Sequence, residues 1–234
     1  MNESADKTLE LADDIAIEDV APKLTFNRLF WIFLLGSILG VLIEGVFAFF
    51  GKGHWESHVV CMWGWINPLY GAAAVGFYVG SAKMHKKSFA FKAIVLTVTA
   101  TVIELLAGLL LKYAIGMRAW SYNDLFLNLD GMICPLFSLL WGLIAVVFIL
   151  LTNKIDHCMH FFDNKSLKIT GIILTVLLVA NFSLTTMAIS RWSSRHYGIQ
   201  SDTQIGAFLD RIATDEWMSN RFMEWEFLDD VGKL

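Results

Sequence analysis

The sequence predicts an all-α polytopic membrane protein: about five transmembrane helices, arranged as two parallel two-helix repeats plus one extra span and a C-terminal amphipathic helix. Three observations carry this. First, the 234 residues are 56% hydrophobic with a mean hydropathy of +0.56, against about 45–50% apolar in soluble domains. Second, the apolar residues fall in long uncharged runs near the ~20 residues that a helix needs to cross a bilayer. Third, the chain repeats itself: residues 64–71 read GWINPLYG and residues 131–138 read GMICPLFS. Each copy follows an apolar helix with one carboxylate, Glu44 in the first and Glu104 in the second.

Taken in order, residues 1–26 form an acidic N-terminal tail with no sustained period, expected to be disordered and cytoplasmic. It lacks the positive n-region of a signal peptide. The transmembrane domain, 27–190, holds spans at about 27–50, 64–82, 90–115, 132–153 and 168–190. The second is Gly- and Ala-rich and is the shortest; its longer partner, 132–153, argues that it too crosses. The fifth has no charge between Ile169 and Ser190 and no partner in the repeat, so it reads as an added peripheral helix. Residues 191–234 form a C-terminal tail. There Ser201 and Gln204 have capping-box spacing, and Ile205, Phe208, Leu209 and Ile212 make one apolar face. The acidic polar face disfavours adsorption to anionic lipid, so packing on the protein's own outer loops or on a partner is expected.

Charge sets the orientation. Residues 1–27 hold seven acidic and two basic residues, and 201–234 hold eight and three. The middle holds thirteen basic and seven acidic. With the N-terminus inside, the inner flanks carry nine Lys/Arg and the outer flanks five, which fits the positive-inside rule with a cytoplasmic N-terminus. No basic stripe lies beyond the membrane flanks, so no nucleic-acid partner is indicated. Cys61, Cys134 and Cys158 have no paired spacing, which argues against a disulfide framework.

The acids are the leading site candidates. A carboxylate in hydrocarbon costs roughly 2.5–3.5 kcal/mol on insertion scales. Gly36, Gly40 and Glu44 share a helix face, and small residues admit a neighbouring helix. Thr97, Thr101, Glu104 and Gly108 form the equivalent face of the third span. A site flanked by two acids would bind a cation, a proton or a cationic part of a substrate; the simpler reading is that each acid glues helices. Asn67 ranks third as a substrate- or ion-binding residue. Asn67-Pro68 and Cys134-Pro135 also suit helix starts, since proline is tolerated at the first turn. Gly40, Tyr70, Trp120, Tyr122, Asn128 and Trp141 are supporting residues, Trp141 being alternatively an interface anchor. Asp130-Gly131 reads as a turn.

Other clusters carry less. In an extended HWESH segment, His54, Glu56 and His58 would face one side and could hold Zn²⁺. The second copy has no His there, so a solvated interfacial loop is expected and no metal is assigned. His157 and His160 read as solvated-loop residues. There is no Gly-x-x-x-x-Gly-Lys loop and no G-x-G-x-x-G, so no cofactor is expected.

At these residues the chain resembles a bacterial membrane family, the CmpB-like family labelled as ABC-transporter type IV. The shared features are Gly40-x-x-x-Glu44, Gly64…Pro68-x-Tyr70-Gly71, Glu104, Trp120-x-Tyr122, Asn128-Leu129-x-Gly131-x-Ile133-Cys134 and Ser138-Leu139-x-Trp141-Gly142. They cover about residues 30–150. Asn67 stands where Cys is commoner. The resemblance implies a permease or permease subunit of unknown substrate, driven by a partner ATPase subunit or completed by homo-oligomerisation. The basic loop 83–92 is the place for an ATPase to dock. Two alternatives stand beside it: a membrane-embedded enzyme or binding protein handling a lipid or cell-wall precursor, and a non-catalytic scaffold. No nucleophile or metal set is complete, so an enzyme is not the leading reading.

Overall fold

The computed structural model describes residues 21–229. Most of the tail read as disordered, residues 1–20, lies outside the described residues, as do 230–234. Seven α-helices are present among those described: α1 (Phe26–Lys52), α2 (Pro68–Lys83), α3 (Phe89–Leu110), α4 (Pro135–Met159), α5 (Lys165–His196), α6 (Gln204–Ile212) and α7 (Asp215–Arg221). Two-residue strands β1 (Met117–Arg118) and β2 (Glu226–Phe227) pair antiparallel.

Four helices, α1, α3, α4 and α5 with their end turns, are long and apolar enough to cross a membrane. At sixteen residues, α2 is about 24 Å long, short of the ~30 Å hydrocarbon core. Its start explains the difference from the expected 64–82. Gly64 has a left-handed φ of 82°, and the carbonyls of Trp63 and Gly64 accept from Asn181 Nδ2 at 2.8 Å and Arg221 Nη2 at 2.5 Å. The helix can begin only at Asn67-Pro68, where the Asn67 side chain accepts from Leu69 N at 3.0 Å.

The other ends follow local chemistry. Thr25, Ser88 and Asn164 cap α1, α3 and α5 by accepting from Arg28, Phe91 and Leu167 N–H groups, as short hydroxyl and amide side chains do. One π turn, Leu111–Ile115, ends α3. Between α3 and α4, Asp130 and Gly131 both have positive φ, 53° and 69°, and form the expected turn.

The packing has α2 at its centre, against α1, α3 and α4, with α5 against α1. Helices α1 and α2 touch through small residues: a Cβ on Gly36 would lie 2.6 Å from Ala74 Cβ, and one on Gly71 2.2 Å from Ser37 Oγ. Close backbone approach of this kind is how membrane helices gain packing energy when water cannot drive them together. Leu139, Leu150 and Val176 are largely exposed, as lipid-facing side chains are.

Helix α5, expected as an added peripheral span, also holds a loop. Asn181 Oδ1 accepts from Trp63 N at 3.3 Å and Thr185 Oγ1 accepts from Met62 N at 2.9 Å, so α5 holds the loop before α2. The C-terminal segment is two short helices rather than one. Thr203, not Ser201, caps α6, accepting from Gly206 N at 3.0 Å, and Thr214 caps α7. Ala213, Met218 and Phe222 bury against Met62, Met117, Ala188, Ile189 and Trp192. The tail therefore covers the chain's own loops, with Arg118 Nη2 to Glu226 at 2.6 Å.

At the opposite end Arg28 is fully shielded from solvent. It reaches Asp156 at 2.7 Å and Asp163 at 2.5 Å, and its Nη2 donates to His160 Nδ1 at 2.9 Å. His160, expected in a solvated loop, joins this cluster because α4 runs on to Met159 and a 3₁₀ turn follows.

Candidate functional site

The two acids are joined by one line of polar and aromatic contacts, with Glu104 buried and the Glu44 side chain 35% exposed. Helix α1 presents Glu44 on the face that carries Gly40. A Cβ on Gly40 would lie 2.1–2.4 Å from ring atoms of Tyr70, so the bare glycine is what lets that ring lie across α1. The Tyr70 hydroxyl then donates to Glu44 Oε2.

Glu104, 3% exposed, is held twice on α3. Tyr122 Oη donates to Oε1 at 2.8 Å and Trp141 Nε1 donates to Oε2 at 3.2 Å. Tyr122 comes from the loop, and its ring stacks on Phe137 at 4.3 Å and 16°. Where the first copy of the motif has Tyr70, the second has Phe137. A phenylalanine cannot donate, and the hydroxyl for Glu104 arrives from the loop on a ring stacked over it. The two halves connect through Tyr70 and Trp141, whose ring centroids are 6.0 Å apart. One turn from Glu104, Thr101 Oγ1 is buried with no hydrogen-bond partner among the described residues.

The remaining supporting residues shape the loop. Trp120 Nε1 donates to the Met132 carbonyl at 2.9 Å. Asn128 Nδ2 donates to the carbonyls of Asn123 and Leu125, and its Oδ1 accepts from Gly131 N at 3.0 Å. Burial, and then the neighbouring Glu104 carboxylate, raise the Tyr122 phenol above its ordinary range, so it stays a donor. Trp141, 8% exposed, is a partner of Glu104 and not an interface anchor.

Asn67 is not brought to either acid. Its oxygen caps α2 and its Nδ2 donates to the His58 carbonyl at 2.9 Å, so both polar atoms are used locally. A cleft of about 300 Å³ opens beside the 117–132 loop, lined by Lys112, Arg118, Trp120 and Asp130 among others; neither Glu44 nor Glu104 lines it.

Sequence reasoning named His58 only as a possible metal ligand beside Glu56, not as a neighbour of Glu44, and missed Glu224. His58 Nδ1 lies 3.3 Å from Glu44 Oε1 and 2.5 Å from Glu224 Oε2. The loop expected to be solvated is folded in: Glu56 and His58 side chains are each 11% exposed. The alternation of HWESH was the available signal for His58. Glu224 had none, since it returns from the C-terminal segment. Burial by itself would raise the Glu56 carboxyl, but hydrogen bonding with Lys52, Glu224 and His54 brings it down to about 2. Burial opposes charge on His58 as well, yet Glu224, Glu44 and Glu56 outweigh it and lift the imidazole above its usual value.

Residues 31–186 match a family model described as "Putative ABC-transporter type IV". No curated protein and no solved structure matches the chain.

Proposed function

The chain belongs to the family described as "Putative ABC-transporter type IV", and from that premise we propose that it is a membrane permease or permease subunit whose working groups are Glu44 and Glu104. The observation that carries this is the continuous run Glu44, Tyr70, Trp141, Glu104, Tyr122 through the centre of the helix bundle. Two carboxylates, each with a phenol donor, suit passage of a cation or a cationic substrate group. Intramembrane acids facing a bundle interior mark such paths.

In this reading α2 crosses the bilayer with the four long helices, and α1–α2 and α3–α4 are parallel repeats with the site at their interface. The N-terminus lies inside a bacterial inner membrane, with the Arg28 end toward the cytoplasm. The basic residues Lys83, Lys86, Lys87 and Lys92 then form the dock for an ATPase subunit, or a second copy of the chain completes the path.

Purification of the tagged full-length chain in mild detergent tests this. A nucleotide-binding subunit is expected to accompany it in fixed ratio and to be released by the double substitution Lys86→Glu, Lys87→Glu. Glu44→Gln and Glu104→Gln should insert and keep that subunit while uncoupling its ATP hydrolysis. A tightly bound lipid with no ATPase would overturn the permease reading in favour of a lipid-handling protein.

A further inference from the structure

Beside the Glu44–Glu104 line lies a second cluster. An imidazole nitrogen of His58 and one carboxylate oxygen each from Glu56 and Glu224 lie within 4.8 Å of one another. Their side chains are 11%, 11% and 22% exposed. His58 Nε2 is buried with no hydrogen-bond partner among the described residues, 4.0 Å from Glu56 Oε2. Nδ1 on the other side of the ring faces Glu224 and Glu44.

The cluster is rich in carboxylates. Glu44, Glu56 and Glu224 supply three carboxylates. Against them stand Lys52, 2.6 Å from Glu56, and the mostly exposed His54, 3.0 Å from it. The carboxylates favour a positive charge at His58, and a divalent ion on the ring would supply that charge in place of a proton. Lone carboxylates at the surface need no such ion, but burying like charges together is costly unless they are paired or coordinate a metal.

We propose that Glu56, His58 and Glu224 form a site for a divalent transition-metal ion of the zinc class. One imidazole nitrogen with carboxylate oxygens is a donor set for such ions. Metal–ligand bonds of about 2.1 Å put tetrahedral ligand atoms about 3.4 Å apart, so the 2.5 Å contact of His58 Nδ1 with Glu224 would open to admit the ion while the Glu56 oxygen closes in. The ion would tie the loop before α2 to the C-terminal segment, above Glu44. This site differs from the alternating His54, Glu56, His58 set: His54 turns to Glu56, and the third ligand comes from the far end of the chain. It does not rest on the transport reading and is tested without any transport measurement.

The probe is Zn²⁺ titrated into the chelator-treated full-length protein in detergent, at mildly alkaline pH so that protons compete less. One saturable ion per chain is expected, with affinity falling at least about tenfold in His58→Gln and Glu224→Gln. Glu226→Gln, whose partner is Arg118 outside the cluster, should bind as the parent does. X-ray absorption of the zinc-loaded parent protein needs no variant to fold and should show one imidazole with oxygen neighbours. No saturable binding, affinity unchanged in both ligand variants, or a zinc shell without histidine would overturn the proposal.

Discussion

Gly40 decides where the Tyr70 ring can lie. A methyl there would occupy space within 2.1–2.4 Å of that ring, so Gly40→Ala must push Tyr70 off α1 and away from Glu44. Overpacking of this kind costs about 1–3 kcal/mol. Trp141→Phe makes the complementary change, keeping an aromatic ring but removing the indole N–H that reaches Glu104 Oε2 at 3.2 Å. With Glu104 buried, losing one of its two donors should cost about 1–3 kcal/mol. Both losses are read as lowered unfolding midpoints in detergent. An unchanged midpoint for Gly40→Ala would mean that Tyr70 does not lie where the geometry puts it. Glu44 and Glu104 stand out in the sequence because a charge in an apolar run is conspicuous. Their donors do not, since tyrosine and tryptophan are as common at interfaces as at sites.

At the scale of elements, the hydrophobic runs locate the long helices, while their junctions depend on distant partners. Residues 64–66 look helical by composition, yet Asn181 on α5 and Arg221 on α7 draw the carbonyls of Trp63 and Gly64 into a loop. The docking of α6 on α5 rests on charge. Asp210 receives Arg191 at 2.8 Å and Arg195 at 2.6 Å, and Arg195 also reaches Asp215 at 2.7 Å. The hydrogen bond from Arg191 is the main cause that holds the Asp210 carboxyl below its ordinary value, with Arg195 adding to it. A carboxylate depressed in the folded state lends stability that is complete above its unfolded pKa of about 3.9 and is lost as pH falls through the folded one. Amide exchange in Met218 and Phe222 should therefore accelerate as pH drops below about 4, after correction for intrinsic exchange. Asp210→Asn should remove the part of that acid response due to Asp210 and show faster exchange at neutral pH. Equal protection in Asp210→Asn and the parent would show that apolar contact alone docks the tail.

At the scale of the whole molecule, Arg28 joins the start of α1 to the end of α4. It counts in the sequence as one more basic flank residue, but in the fold it is buried between Asp156 and Asp163. Tyr78 adds a hydrogen bond to Asp156 at 2.5 Å, so α1, α2 and α4 meet there. Removing the guanidinium strands two carboxylates that are 23% and 33% exposed, so the cost falls below the ~3–5 kcal/mol of breaking a fully buried pair. Arg28→Ala should lower the unfolding midpoint most among the variants named, with Arg28→Lys recovering part of it. A midpoint within experimental error of the parent would place the cluster in water.

By itself the sequence determined that the chain is helical and membrane-embedded, and where its long helices run. Hydropathy and helix period are properties of a segment, readable without knowing what the segment touches. It also picked out Glu44 and Glu104, because a lone acid in hydrocarbon is anomalous wherever it later packs. Only the tertiary structure decided which groups hold those acids, that Asn67 serves as a helix cap, and that Glu224 returns to His58. Those depend on which side chains converge from opposite ends of the chain. Convergence is set by close packing of small residues and by pairing of buried charge, and neither leaves a period in the sequence.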